Sequence, residues 1–547
     1  MKADPLASET FTAVKKRSDK AWGGRSGWSA LYQDAYDFAV PMRRPDAVKM
    51  ATPSKLFDMT APMSVMHFAG GLQRDLFPPG QKSFTIEAGP IAKQALLVSQ
   101  GQGAIDQLNR GLENTADIMR PFFMTGEWDT CIHEACIDLA IGTAVILPVA
   151  TNDPYQPLRF ATIPFDECAI WTEFMGSLEG LSWKCRPTRE QVYLMWPKAN
   201  WTQELIDAAK NRPDEEITLV QVWWKDLTPL GGWHFIAYID NMATELVHEW
   251  TRTQPIAVPR YYRVPGEPYG RGVVLTAMPS IKTLNKAQEL ALKAAAIKML
   301  GIWAYRAGGT FNPNTVRFGP GEFWPMQSTG GILGPDATRI DPAGGDINVA
   351  QLIIGNLQDQ VRNAMYDTRL PDYQGTPRSA SEITGRLQQA AQIHIGAFGR
   401  LVAEIMPVIV PRAAEILYEA RFLPNITRID NLLIAIAVQS PMQAALNADR
   451  LAALANYFQI VELIGGQGNE ELYVKRDVVM QKFAKGLQVD ADVVPTADEA
   501  KQAAQAIQQR QAQQLQMIMA QEAAKAAPKA IVNAAAQQAG QPQQQAA

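Results

Sequence analysis

The chain has 547 residues, 47% of them hydrophobic and 19% charged, which excludes wholesale disorder and predicts roughly three or four domains or one elongated, segmented body. Lys and Arg number 51 against 55 Asp and Glu, a net charge of −4, which excludes a basic protein that neutralises phosphates in bulk. No apolar leader opens the sequence, no run of about 18 apolar residues occurs, and four cysteines are too few for a disulfide scaffold, so an intracellular, reduced chain outside the membrane is expected.

Residues 1–20 are polar and read as a mobile tip. From Trp22 to about Ala140 the pattern is mainly helical. Trp28, Leu31, Tyr32, Ala35 and Phe38 fall at helical spacing until Pro41. Met63, Met66, Ala69, Gly70 and Leu72 form a second stripe, ended by Pro78-Pro79-Gly80. Ile105, Leu108, Leu112 and Ala116 begin a third, and Trp128, Ile132, Ala135 and Leu139 a fourth. Near Thr143 the texture changes. Runs at 144–149, 158–163, 168–174, 178–186, 217–225, 233–239 and 256–264 are rich in Val, Ile, Phe, Tyr and Trp, with turn signals between them. They predict an antiparallel β region with some helix near 188–210. Helix returns over 274–300 and 347–367. Between them, 301–345 is rich in Gly and Pro but carries Phe311, Val316, Phe318, Phe323 and Trp324. Structureless loops beyond about 12–15 residues are uncommon, so a small β-containing contact module is expected there. A loop at 368–379 precedes a long helix at 380–422. Pro407 and Pro411 must kink that helix or break it in two, since each removes a donor and clashes with the preceding turn. Several shorter helices are expected over 427–486. The Gln/Ala-rich end has Ile507, Leu515 and Ile518 at helical offsets, a stripe so thin that the helix needs neighbours to stay ordered. The last twenty or so residues read as disordered.

Catalytic signatures are approached and missed. Gly80-Gln81-Lys82-Ser83 lacks the Gly-Lys step of a phosphate-binding loop. His133-Glu134-Ala135-Cys136-Ile137 starts like a zinc-protease helix, but the second His position holds Ile137. Cys131 and Cys136 with one His match no closed zinc site and read as buried thiols. Gly270-Arg271-Gly272-Val273-Val274-Leu275 lacks the third small residue of a dinucleotide fingerprint. No catalytic, cofactor or metal residue is assigned.

Five segments, in order, carry a different signal. They are Tyr36-Asp37-Phe38-Ala39-Val40-Pro41; Leu56-Phe57-Asp58-Met59-Thr60-Ala61-Pro62; and Leu72-Gln73-Arg74-Asp75-Leu76-Phe77-Pro78-Pro79-Gly80 with Phe84. Tyr269-Gly270-Arg271-Gly272 follows, opening a helix that contains Lys282-Thr283-Leu284-Asn285, and Ser381-Glu382-Ile383 comes last. Together with the Gln/Ala-rich end, the set resembles the portal proteins, or head-to-tail connectors, of short-tailed bacteriophages. That resemblance implies an α+β, predominantly α-helical chain assembling as a ring, usually a dodecamer, at one capsid vertex of the virion, built in the host cytoplasm. Double-stranded DNA would pass through without sequence readout. The partners implied are the terminase large subunit, then tail or adaptor proteins, with major capsid and scaffolding proteins around them. The implied divisions are a flexible N-terminus at 1–20, a wing at 21–270 and a stem helix at 271–300. They continue with a clip at 301–345, a second stem helix at 346–367 and a tunnel loop at 368–380. A kinked wing helix at 381–422, a crown at 423–490 and a C-terminal barrel and tail at 491–547 complete them.

The residues leave two readings open within this frame. Lys282, Lys286, Glu289 and Lys293 share one face of a helix, with Leu284, Ala287, Ala291 and Ala295 opposite. Repeated around a ring, such a face would line a channel with shallow positive charge; alone, it is an ordinary salt-bridged solvent face. Arg369 and Arg378 sit in the segment that the resemblance makes a DNA-touching loop. The rival functions are a virion-associated nuclease or peptidase, and a capsid or tail scaffold without a channel.

Overall fold

Helical spacing in the first forty residues produces one long helix, α1 (Phe11–Phe38), in the computed structural model of the chain. The structure describes residues 10–41, 43, 56–99, 101–151, 153–229, 231–240, 242, 244–300, 302–305, 337–340, 347–366, 380–423, 434–439, 451–457 and 459–461. Toward the C-terminus it describes 479–480, 482–483, 499, 502–503 and 505–519. The elements after α1 are α2 (Thr60–Leu76), β1 (Phe84–Ala88), α3 (Pro90–Ser99), α4 (Gln102–Thr125) and α5 (Trp128–Ile141). The β region follows with β2 (Ile146–Ala150), β3 (Leu158–Thr162), β4 (Cys168–Thr172) and β5 (Leu178–Cys185). Next come α6 (Arg189–Met195), α7 (Gln203–Asn211), β6 (Leu219–Lys225), β7 (Trp233–Ile239), β8 (Val247–Thr251), β9 (Tyr262–Arg263) and β10 (Gly270–Arg271). Then come α8 (Val273–Leu300), β11 (Ile302–Tyr305), β12 (Ala337–Ile340), α9 (Ile347–Ala364), α10 (Ala380–Glu419) and β13 (Ile434–Val438). The described chain is mostly helical, as expected.

The chain divides into two compact units. One holds Met1–Ser83, Ile118–Thr427 and Ser440–Met442; the other holds Phe84–Asp117, Arg428–Gln439 and Gln443–Ala547. In the first, β4 to β8 form an antiparallel meander in sequence order. Alternation along each strand sends side chains to opposite faces. Val220, Val222, Trp224, Ile236 and Tyr238 pack against Val14 and Phe11 of α1. A second cluster gathers Val192, Leu205, Ile217, Leu219 and Leu246, bringing α6 and α7 to the sheet. A capping box starts α6, where Thr188 accepts from Gln191 N and Gln191 Oε1 accepts from Thr188 N. Beside the sheet, Tyr32 stacks on Phe165 at 4.0 Å, and both meet Tyr269. Trp128, Phe77, Phe123 and Phe160 make another aromatic core under α5.

Several expectations are corrected. Residues 11–20 are no mobile tip: Val14 and Ser18 are buried, and Ser18 Oγ bonds Ser182 Oγ at 2.7 Å, so sheet contact orders the helix from its first turn. The stripe through Met63 and Met66 is not the buried face of α2. Both are about half exposed, while Ala61, Val65, Phe68, Leu72 and Leu76 go inside with Ala69. The mainly helical stretch is interrupted by β1, whose partner β13 lies in a segment read as short helices; Phe84 pairs with Val438 and Ala88 with Ile434 in the second unit. The run at 256–264 contributes only β9 and isolated bridges at Ala257 and Arg260, whereas β8, unforeseen, forms the last strand of the sheet. The alternative of two short helices around the prolines gives way to α10 as one helix containing both Pro407 and Pro411.

Candidate nucleic-acid interface

The helix that carries the candidate lysines is fixed first at its root. Gly272 N donates to Ile141 O at 2.7 Å and Gly270 N to Thr143 Oγ1 at 2.8 Å. The backbones come so close that a Cβ on Gly272 would lie 2.1 Å from Ala140 O, and one on Gly270 would lie 2.4 Å from Gly142 O. Glycine is thus required on α8's side of the contact. Tyr32 Oη donates to Gly270 O at 3.2 Å, and Tyr269 Oη accepts from Ile170 N at 3.3 Å. The Tyr-Gly-Arg-Gly segment is a clamp between the start of α8 and the end of α5, not a dinucleotide loop.

A second anchor lies further along. Asn285 is buried, and its Oδ1 accepts from both Phe57 N at 2.7 Å and Asp58 N at 3.2 Å. Asp58 Oδ1 accepts from Thr60 N, the first residue of α2, at 2.8 Å in an Asx turn, and its other oxygen accepts from Gln358 Nε2 at 3.0 Å. One aspartate and one asparagine therefore tie α2, α8 and α9 together. These are residues of the second and fourth segments singled out in the sequence.

Between and beyond the anchors, Lys282, Lys286 and Lys293 are exposed while Leu284 is buried, as the helical spacing required. Each lysine has a carboxylate. Lys282 Nζ is 2.5 Å from Asp34 Oδ2; Lys286 and Lys293 flank Glu289 at 2.9 and 2.5 Å. Hydrogen bonds from Lys293 and Lys286 hold the Glu289 carboxyl below its usual range. Three lysines and two carboxylates leave the cluster a single net positive charge. The face presents cations without a strong local field. Arg369 and Arg378, with the loop that holds them, lie outside the described residues, as do the aromatic residues expected in 311–324.

The near-catalytic residues are absorbed into packing. His133 Nδ1 lies 2.9 Å from Gln73 Oε1, and Gln73 Nε2 donates to Asp129 O, so the third segment is docked on the start of α5. Gly80 N reaches Asp129 Oδ2 at 3.2 Å. Cys131, Cys136 and Cys168 are buried, which raises all three thiols, Cys131 to about 12. Among the described residues no group of three or more His, Cys, Asp or Glu is placed to hold a metal. Sequence reading missed the ion pairs that brace this unit. Arg43 Nε and Nη2 grip Asp138 at 3.0 and 3.1 Å while Nη1 reaches Glu134. Arg260 joins Glu404 of α10 at 3.3 Å. The partners in these pairs are about 90 or more positions apart, and no local spacing announces them.

The family model described as bacteriophage head to tail connecting protein matches residues 12–494. The chain belongs to that family. No curated protein matches it. A head to tail connector is a structural component of the phage particle, and virion location follows from that membership. The anchors on α2, α5, α8 and α9 all lie inside the matched span, and they are built from the second, third and fourth of the segments that suggested a connector. Among the described residues no helix is long and apolar enough to cross a membrane.

Proposed function

We propose that this connector assembles as a dodecameric ring at one capsid vertex and conducts double-stranded DNA during packaging and ejection. The match over 12–494 carries this reading. Its support in the structure is the pair α8 and α9, which pack together and lead into the antiparallel hairpin β11–β12. In this reading α8 and α9 are the stem, the segment 301–345 containing β11 and β12 is the clip, and 368–380 is the tunnel loop. The wing spans 21–270 and continues through α10, kinked at Pro407 and Pro411; the crown covers 423–490, and 491–547 forms the barrel and tail. The clip docks the terminase large subunit and later tail or adaptor proteins. Capsid and scaffolding proteins surround the wing, and assembly takes place in the host cytoplasm.

The DNA-facing residues are Lys282, Lys286 and Lys293 on the stem and Arg369 and Arg378 in the loop. The weak overall charge of the chain, −4, suits a conduit. A protein gripping six to ten phosphates loses about 10³–10⁵ in affinity between 50 and 200 mM salt, and a channel that holds DNA so tightly cannot pass it. The energy for packaging comes from the motor.

Electron microscopy of the purified protein with native mass tests the reading. Closed rings with a hole roughly 20–40 Å wide, the scale of a B-DNA duplex, are expected. Small species that persist at high concentration and with scaffolding protein present would overturn it.

A further inference from the structure

One end of the five-stranded sheet holds a polar cluster that the connector role does not use. The register sets His234 of β7 against Trp250, and Ile236 against His248 of β8. His234 and His248 are therefore diagonal neighbours on one face. Their Nδ1 and Nε2 atoms are 3.3 Å apart. The outer nitrogens face carboxylates: His234 Nε2 is 3.5 Å from Asp226 Oδ2, and His248 Nδ1 is 3.3 Å from Glu245 Oε1. Asp226 is itself held, accepting from Thr228 N at 2.8 Å and Thr228 Oγ1 at 2.9 Å. The Trp224 ring stacks on His234 with centroids 5.1 Å apart.

A carboxylate beside an outer nitrogen keeps the imidazole proton on that side. In that tautomer of both rings the inner nitrogens present lone pairs to each other; with either ring in its other tautomer the contact is an N–H···N hydrogen bond. Two lone pairs at this separation repel unless a cation lies between them. The separation is also that of two tetrahedral ligands: metal–nitrogen bonds of about 2.0–2.1 Å place their nitrogens roughly 3.3–3.4 Å apart. We propose that His234 and His248 form a two-histidine site for a borderline divalent transition metal such as zinc or nickel, with Asp226 and Glu245 orienting the rings from behind. Both histidines are partly exposed, so water completes the coordination. The bound ion staples β8, the last strand of the sheet, to β7. The two ligands stand 14 positions apart, which is why no metal motif shows in the sequence.

The test uses the full chain, stripped with chelator and titrated with Zn²⁺ or Ni²⁺ by calorimetry, with tryptophan fluorescence alongside. One equivalent per chain is expected in the wild type and in His133→Ala, and none at this site in His234→Ala or His248→Ala. Glu245→Gln, which keeps both ligands and the sheet, is expected to bind about 10–100-fold more weakly. Zinc raises the melting temperature of the wild type and leaves that of His248→Ala unmoved. Uptake in both histidine variants equal to that of the wild type overturns the proposal. So does the absence of uptake by folded wild type at millimolar metal, which would leave the contact an N–H···N hydrogen bond.

Discussion

Replacing Gly272 by Ala tests whether the root of α8 is as tightly held as its geometry requires. The added Cβ would stand 2.1 Å from Ala140 O and 2.5 Å from the carbonyl carbons of Ala140 and Ile141. All three are backbone atoms, so no side chain can rotate away. Overpacking of this kind costs about 1–3 kcal/mol. Separating the strands of chain also breaks the 2.7 Å bond from Gly272 N to Ile141 O, worth about 1 kcal/mol more. A loss of about 2–4 kcal/mol follows, which in native-state hydrogen exchange is a roughly 30- to 1,000-fold loss of protection at the amides of Gly272 and of Tyr261, which donates to Gly142 O at 2.9 Å beside the clamp. Gly71 of α2 provides the control, because a Cβ there meets nothing within 4 Å. Gly71→Ala is expected to stabilise its helix by up to about 1 kcal/mol. Protection in Gly272→Ala within a few-fold of wild type would show that the two backbones part without cost and would refute the clamp.

Asn285→Ala leaves the amides of Phe57 and Asp58 without their common acceptor; a loss of about 1–3 kcal/mol is expected in the unfolding free energy from denaturant titration, with faster exchange at both amides. Burial raises Asp138 from 3.8 to about 6 despite the pull of Arg43, so the stability it contributes is complete below about pH 4 and is lost as pH rises through about 6. The unfolding free energy of Asp138→Asn relative to wild type is therefore expected to improve by up to about 3 kcal/mol between pH 4 and 7; a difference that stays flat or moves the other way would show that the Arg43 pair governs the site. Burial holds the Cys131 thiol near 12 and that of the less buried Cys185 near 11, so alkylation of the native protein at pH 8 is expected to be slow throughout and to begin at Cys185, as peptide mapping will show.

How much of this was legible depended on the range of the interactions. Long helices declared themselves through periodicity, and α5 and α8 fall where the apolar spacing put them. The strand β7 matches its aromatic and β-branched run to the residue. Short strands did not, although Phe84-Thr85-Ile86-Glu87-Ala88 alternates cleanly between buried and half-buried positions. Five residues of alternation are outweighed by the helical texture on both sides, and its partner is some 350 positions away. Met63 and Met66 misled because methionine suits either a core or an open face. The lysine face was visible as a face; its carboxylate from Asp34 was not, since that residue comes from α1. The His234–His248 contact was hidden for the same reason, being created by strand register and not by spacing.

The anchors also explain why a head to tail connector carries such recognisable segments. From Gly272 to Lys293 an α-helix runs about 32 Å at 1.5 Å per residue, so a tilt of 10° about the root alone would displace the last lysine by about 5–6 Å. Asn285 shortens that lever. Held at Asn285 as well, the free length to Lys293 is about 12 Å, and the same tilt moves the lysine only about 2 Å. In the ring proposed above, every subunit would have to repeat one helix pose for its lysines to lie at one depth of the channel. Glycines that let two backbones touch, and an asparagine that serves two backbone donors at once, set a pose through atoms that cannot rotate away. Lysine tips, free to swing, need only be carried to the right place. On this reasoning the invariant demand falls on the Tyr-Gly-Arg-Gly clamp and the Asp58–Asn285 tie, and the charge on the exposed face is the more adjustable part of the design.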